Sequence, residues 1–366
     1  MIGTDFISPG GITAVVRSYR DAGLFERWPI RFLPTYRRNT MTNKVWTASL
    51  ALLRFSGWLM RAQVVTVHAH TAARASFWRK SLFLMLGRAC GCSTILHLHD
   101  GSFPAYFEAC GPVRQWLICH VLASMDRVVV LTPGWLARIR EIQPDAHFAV
   151  IANPVSALRI PRCPQPLEIL FLGRLWREKG AYDLIDATAI LVREFPDVRV
   201  VCAGDGEVAA LRARASALGI ARNIDFPGWV DAGDKDALLA RATVLVLPSY
   251  FEGLPIGILE AMINGIPVVA TRVGGIPDAL ADDAGLMVEA GDVAGLAEAL
   301  ARVLREPVLQ TSMGEAGKRR AENLYACDQV FASIGSIYRE FGVKPNESGS
   351  APVFANKVEG RRQCAD

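Results

Sequence analysis

Val244-Leu-Val-Leu-Pro248-Ser-Tyr-Phe251-Glu252-Gly253-Leu254-Pro255-Ile-Gly-Ile-Leu-Glu260-Ala-Met262 holds a strand, a turn and a helix start in one stretch. Four aliphatic residues running into Pro248 read as a strand buried on both faces. The turn Gly253–Pro255 opens a helix, because proline is favoured at a first helical position. Gly265, just before Pro267, is placed to end it. The backbone N–H groups of Gly253 and Leu254 would then lie at a helix start, where anions bind. Glu252 on the loop and Glu260 on the helix would be about 12 Å apart if the whole span were helical. That separation suits two ends of one long ligand, and carboxylates accept hydrogen bonds from sugar hydroxyls.

The same strand–turn–helix grammar appears in Leu172-Gly173-Arg174-Leu-Trp-Arg-Glu-Lys179-Gly180. Arg174 and Lys179 flank that turn, where two cations can neutralise a diphosphate and the charge it gains on leaving. Gly10-Gly11-Ile12 opens the first helix and lets the backbone approach a phosphate or sugar, although glycine pairs punctuate many loops. His68, His70, His97 and His99 end two predicted strands, and alternation puts His97 and His99 on one face. No carboxylate or thiol completes a metal set with them, so His68 and His97 read as satisfied polar groups at a sheet edge. Asp234-Lys-Asp236 spells an acidic metal-binding pair, but it opens a helix, where acids complement the dipole.

Around these motifs, short apolar runs alternate with helix-length segments. In the first half the strands are Gln63–Ala69, Ser93–His97, Asp126–Thr132 and Phe148–Ala152, with helices at Ser76–Arg88 and Val113–Ser124. Asn153–Gln165 carries three prolines and reads as a linker. A second series follows, with strands at Glu168–Leu172, Val198–Ala203, Val244–Pro248, Pro267–Thr271 and Leu286–Glu289. Residues 1–152 and 153–327 therefore read as two α/β units, each doubly wound on a parallel sheet, with a ligand cleft between them. Asp328–Phe341 is an amphipathic helix, and the polar, breaker-rich 343–366 is expected to be disordered. Only Met1–Thr4 precede the first glycine turn, so either the first strand is short or the native start lies upstream.

Composition bounds the function. The 366 residues are 51% hydrophobic and 21% charged, enough to bury two cores. The longest apolar candidate, Val45–Met60, is broken by Arg54 and Ser56 and reads as a buried or interfacial helix, not a membrane span. The start lacks a leader-like pattern, and eight scattered cysteines fit thiols in a reducing compartment, so a cytoplasmic protein is expected. Residues 1–150 hold 17 Lys and Arg against 8 Asp and Glu, while the remainder hold 23 against 28. A basic first half suggests an anionic partner, a membrane surface or a phosphorylated acceptor. Phe77–Met85 mixes aromatics, bases and aliphatics as interfacial helices do. No basic stretch is interleaved with aromatics densely enough for nucleic acid.

Taken together, the ordered Gly-Gly, Gly-Arg-Leu…Lys-Gly and paired-glutamate motifs resemble the retaining glycosyltransferases of family 4, along nearly the whole chain and most densely over 168–290. The resemblance implies the GT-B fold: two Rossmann-like domains facing across a cleft. It implies that Glu252 touches donor-sugar hydroxyls, Glu260 the ribose, and Arg174 and Lys179 the diphosphate. Gly10 and Gly11 would face the donor from the first domain, with His99 beside the transferring sugar. Gly173, Gly204 in Gly204-Asp-Gly206, and Val230 in Phe226-Pro-Gly-Trp-Val230 look like the family's nucleotide-facing turns, with Gly253, Leu254 and Pro255 completing the donor site. The last helix would cross back onto the first domain.

The expected activity is transfer of a hexose from GDP-mannose or a UDP-hexose to a saccharide acceptor, lipid-linked, in bacterial polysaccharide assembly. It would use no metal and no cofactor besides the nucleotide-sugar substrate, with peripheral contact to the membrane. A nucleotide-sugar epimerase, a sugar phosphorylase or a non-catalytic partner subunit would share the architecture. A nicotinamide oxidoreductase is disfavoured by the lack of a Gly-x-Gly-x-x-Gly turn after a strand.

Overall fold

The computed structural model describes residues 1–6, 10–36 and 41–346, the side chains of 41–45 excepted. The first unit runs β1 (Ile2–Gly3), α1 (Gly11–Asp21), α2 (Leu24–Arg27), β2 (Leu33–Pro34), α3 (Met41–Met60), β3 (Thr66–Thr71) and α4 (Ala75–Ala89). It continues through β4 (Ser93–Leu98), α5 (Phe103–Glu108), α6 (Pro112–Ser124), β5 (Arg127–Val130), α7 (Pro133–Ile142) and β6 (Phe148–Val150). All six strands are parallel, in the order β2-β1-β3-β4-β5-β6.

The second unit runs β7 (Glu168–Leu172), α8 (Ala181–Leu191), β8 (Arg199–Ala203), α9 (Val208–Ala217), β9 (Ile224–Gly228), α10 (Ala232–Arg241) and β10 (Val244–Leu247). It then adds α11 (Ile256–Ile263), β11 (Val268–Thr271), α12 (Ile276–Ala279), β12 (Leu286–Val288), α13 (Val293–Arg305) and α14 (Pro307–Leu324). Its parallel order is β12-β11-β10-β7-β8-β9. The central strand β10 is buried at every residue, as its unbroken aliphatic run requires.

The final helix, α15 (Cys327–Glu340), returns to the first unit. Its Val330, Phe331, Ile334, Ile337 and Tyr338 close a core with Val15, Tyr19, Trp28, Ile95, Val129 and Ile151. The other face of the first sheet is covered by α3, α4, α6 and α7, through Phe55, Phe77, Phe83, Ile118 and Ile139 among others. Where the chain crosses between units, Val155 N–H donates to Tyr325 O at 2.8 Å, so the outgoing and returning segments lie side by side.

Several expectations need correcting. His68 and His97 are not at a sheet edge: β3 and β4 are central strands and both rings are buried. Phe77–Met85 is not an interfacial surface, because α4 lies over β3 and β4 and buries Phe77, Lys80, Phe83 and Leu84. Helix α11 begins at Ile256 with Pro255 as its cap, so Gly253 and Leu254 belong to the loop ahead of it. The first strand is two residues long. Residues 343–346 are held against the first unit, Asn346 donating to Arg27 O and Glu26 O, while the rest of the expected disordered tail, 347–366, lies outside the described residues.

Candidate functional site

The C-terminal ends of β3, β4, β7, β8 and β10 open onto one cleft with about 710 Å³ of water-accessible space. Each residue expected above to touch the donor lines it, whereas His68, His70 and His97 do not. Gly10, Gly11 and His99 come from the first unit; Gly173, Arg174, Lys179, Gly204 and Val230 stand opposite, with Glu252, Gly253, Leu254, Pro255 and Glu260 between them. The strand–turn–helix junctions bring these together because parallel strands all point their C-terminal ends the same way.

Glu252 is the most constrained side chain of the group. Its Oε1 accepts from Ser249 Oγ at 2.8 Å and from Lys179 Nζ at 2.5 Å. A ligand that engages Lys179 through phosphate must compete with, or share, that carboxylate. The Glu252 carbonyl is wedged between the two units: a Cβ on Gly101 or on Gly274 would come within 1.8 Å of its oxygen. Beside it, Asn153 Nδ2 donates to Leu254 O at 2.7 Å and Gly275 N–H to Gly253 O at 2.7 Å. The loop carrying Glu252 is thus gripped from both sides of the cleft.

Other lining residues were not picked out from the sequence. Lys235, on α10, pairs with the Glu260 carboxylate. The Asp234-Lys-Asp236 segment does open that helix, with Asp231 accepting from Asp234 N–H at 2.9 Å. Arg17 projects from α1 into the cleft wall and donates from Nε to Phe6 O at 2.9 Å. Asp100 shapes the turn after β4, its Oδ1 accepting from the Ser102 N–H and hydroxyl and its Oδ2 from Ala73 N–H. Trp229 and Phe251 are exposed aromatics at the cleft mouth. The contacts of Arg17 and Lys235 join elements apart in sequence; a local motif search has no signal for them.

Leading away from the cleft, His68, His70, His97 and His99 stack on one face of the first sheet. Tyr338 OH lies 2.9 Å from His68 Nδ1, His68 Nε2 3.3 Å from His97 Nδ1, and His70 Nδ1 2.8 Å from His99 Nε2. The His97 and His99 rings stack with centroids 4.2 Å apart. Burial lowers the affinity of all four for a proton: His97 is pushed down to about 3, and His68, His70 and His99 well below the usual imidazole range. Lys80, also fully buried, is bonded to Ser76 Oγ at 2.9 Å and pushed down by burial to about 7. His68, His70 and His97 place ring nitrogens within 4.8 Å of one another, which makes them the candidate metal ligands among the described residues. Both His68 nitrogens already have partners, Tyr338 and His97, so a cation bound to His68 would displace one of them.

This geometry has counterparts. Residues 8–154 match the family described as Glycosyl transferase 4-like domain, and residues 161–320 the one described as Glycosyl transferases group 1. The glycogen synthase of Mycobacterium tuberculosis is 34% identical over 235 residues, 62% of this chain and 56% of that protein. The D-inositol 3-phosphate glycosyltransferase of Corynebacterium urealyticum is 31% identical over 230 residues, 60% of this chain and 53% of its own. A lipopolysaccharide core biosynthesis glycosyltransferase of Rhizobium meliloti is 33% identical over 204 residues, 53% of this chain and 58% of its own. The aligned regions thus span a little over half the length of these relatives. Among solved structures, sucrose-phosphate synthase from Thermosynechococcus elongatus superposes with a TM-score of 0.75 at 19% identity, over 93% of this chain and 98% of that one. The Anabaena protein HepE, solved with UDP, gives 0.73 at 17% identity with the same coverage. At these identities the likeness establishes the fold, two facing Rossmann-like domains of GT-B type.

Proposed function

Because the chain belongs to the glycosyltransferases of group 1, with a glycosyltransferase 4-like domain ahead of the group 1 domain, we propose that it transfers a hexose from a nucleotide-diphosphate sugar to a saccharide acceptor with retention at the anomeric carbon. One observation carries the reading. The Arg174–Lys179 turn, the Glu252–Glu260 segment and His99 converge on a single cleft from two separate domains.

In this reading Arg174, Lys179 and the start of α11 hold the diphosphate and take up the charge that develops as it leaves. Glu252, kept in place by Ser249 and the two glycines, accepts hydrogen bonds from sugar hydroxyls, and Glu260 accepts from the ribose. Its Lys235 partner restrains that carboxylate at the nucleoside end. Gly10, Gly11 and His99 approach the sugar and phosphates from the first domain. The acceptor hydroxyl attacks from the face the phosphate leaves, and the departing phosphate takes its proton, so neither Glu252 nor His99 serves as acid or base. No metal or further cofactor enters the scheme. Domain closure over the cleft limits hydrolysis. The donor is a GDP- or UDP-hexose and the acceptor a lipid-linked saccharide of bacterial polysaccharide assembly, met at the cytoplasmic face of a membrane.

The test is release of nucleoside diphosphate with and without a saccharide acceptor. Acceptor-dependent release is expected, together with loss of turnover by at least about a hundredfold in Arg174→Ala at unchanged thermal stability. Near-normal turnover of that variant would refute the assignment, and interconversion of the free donor sugar would indicate an epimerase instead.

A further inference from the structure

Helix α3 packs on the first unit through one side only. Ala51 and Phe55 are buried against the core, whereas Trp46, Leu53 and Met60 are 70%, 72% and 83% exposed. At 100° per residue, Trp46, Leu50, Leu53, Gly57 and Met60 fall on a single outward stripe, with Arg54 and Arg61 along one border. The helical layer to which α3 belongs carries a second such outward site at α6, where Val113 and Trp116 are exposed beside Arg114. Large aromatics and aliphatics so exposed on a monomer surface mark a contact with something apolar.

The charge of the region identifies what that is. From Arg27 to His99 there is no aspartate or glutamate, while eleven lysines and arginines occur. A second copy is a poor occupant, because a twofold contact would set Arg54 and Arg61 against themselves with no acid on the patch to compensate. An anionic bilayer offers both an apolar layer for Trp46, Leu53 and Met60 and a negative surface for the arginines. We infer that the outer face of α3, extended by Val113 and Trp116 of α6, is the surface by which this protein lies on an anionic membrane. This deepens the reading of a lipid-linked acceptor and draws its purpose from it. Because α3 connects the end of β2 to the start of β3, its first turns lie on the cleft side of the sheet. A membrane along the helix therefore reaches the cleft mouth.

The full chain is sedimented with vesicles of phosphatidylcholine alone and with phosphatidylglycerol added, at low and high salt. Binding is expected only to the anionic vesicles and weakened by salt. Trp46→Ser/Leu53→Ser and, separately, Arg54→Glu/Arg61→Glu should each lower the partition coefficient by about tenfold or more, with circular dichroism and melting unchanged. Acceptor-dependent nucleoside diphosphate release on a soluble saccharide should be the same in wild type and both variants, so the membrane surface and the transferase reading fail separately. Equal binding of wild type and variants, absence of binding, or a wild-type dimer that Trp46→Ser/Leu53→Ser dissociates would each overturn the inference.

Discussion

The residue that most constrains the cleft chemically has no charge at all. Gly101 closes on the Glu252 carbonyl, where a methyl group would lie 1.8 Å from the oxygen, and Gly274 closes on it from the other side. Gly274 also needs its left-handed backbone, φ +56°. Gly101→Ala is expected to push the Glu252 loop out of place, and displacements of about 1 Å cost roughly a hundredfold in rate. Lys179 is bonded to the Glu252 carboxylate and the loop leads straight into α11, so nucleoside diphosphate affinity should weaken along with turnover; calorimetric titration and turnover read the two effects. Glu252 and Glu260 were legible in the sequence because each belongs to a strand–turn–helix junction read within a dozen residues. Gly101 was not: its requirement arises from a loop 151 positions away.

Among the elements, the paired strands β3 and β4 carry an unusual load, four stacked imidazoles and the Lys80 amine close behind them. The signs follow from proton binding. Below the free imidazole value of 6.5 the unfolded chain takes up a proton that His97 refuses down to about 3, so stability falls as pH drops through that window, by up to about 1.4 kcal/mol per pH unit for this ring alone. His68 and His70 add to the same slope. Lys80 acts above neutrality: between about 7 and 10.5 the unfolded chain holds a proton the folded chain has lost, so its contribution to stability rises with pH. Lys80→Met should therefore stabilise the protein at pH 7 and flatten the alkaline slope, read by urea denaturation at a series of pH values. The sequence marked both α3 and α4 as candidate interfacial helices and held no signal to choose between them. Both α3 and α4 mix aliphatics with basic residues, but α4 sits over the central strands while α3 packs mainly on the edge strand β2 and on α4. Coverage depends on position in the sheet, which no local pattern records.

Across the whole molecule, the cleft belongs to neither unit alone. A nucleoside diphosphate is expected to bind chiefly to the second, and at a hundred times its dissociation constant should add about 2.7 kcal/mol to stability. A thermal-shift series over guanosine, uridine and adenosine diphosphates should show one clear responder and so identify the base. The two alternating strand–helix series and the amphipathic last helix were legible because periodicity survives in a single sequence; the return of that helix was implied by the family resemblance alone. The pairing of Val155 with Tyr325 was not legible, since each lies in a segment without pattern. That return has a consequence for how the protein is made. Helix α15 supplies one wall of the first unit's core, yet it leaves the ribosome after every residue of the second unit. Until then Val15, Ile95, Val129 and Ile151 lack their cover, and the first unit waits half-built while the second closes on its own. A chain whose synthesis stops before α15 has its donor wall and lacks the finished wall opposite, so the whole cleft requires synthesis through that helix.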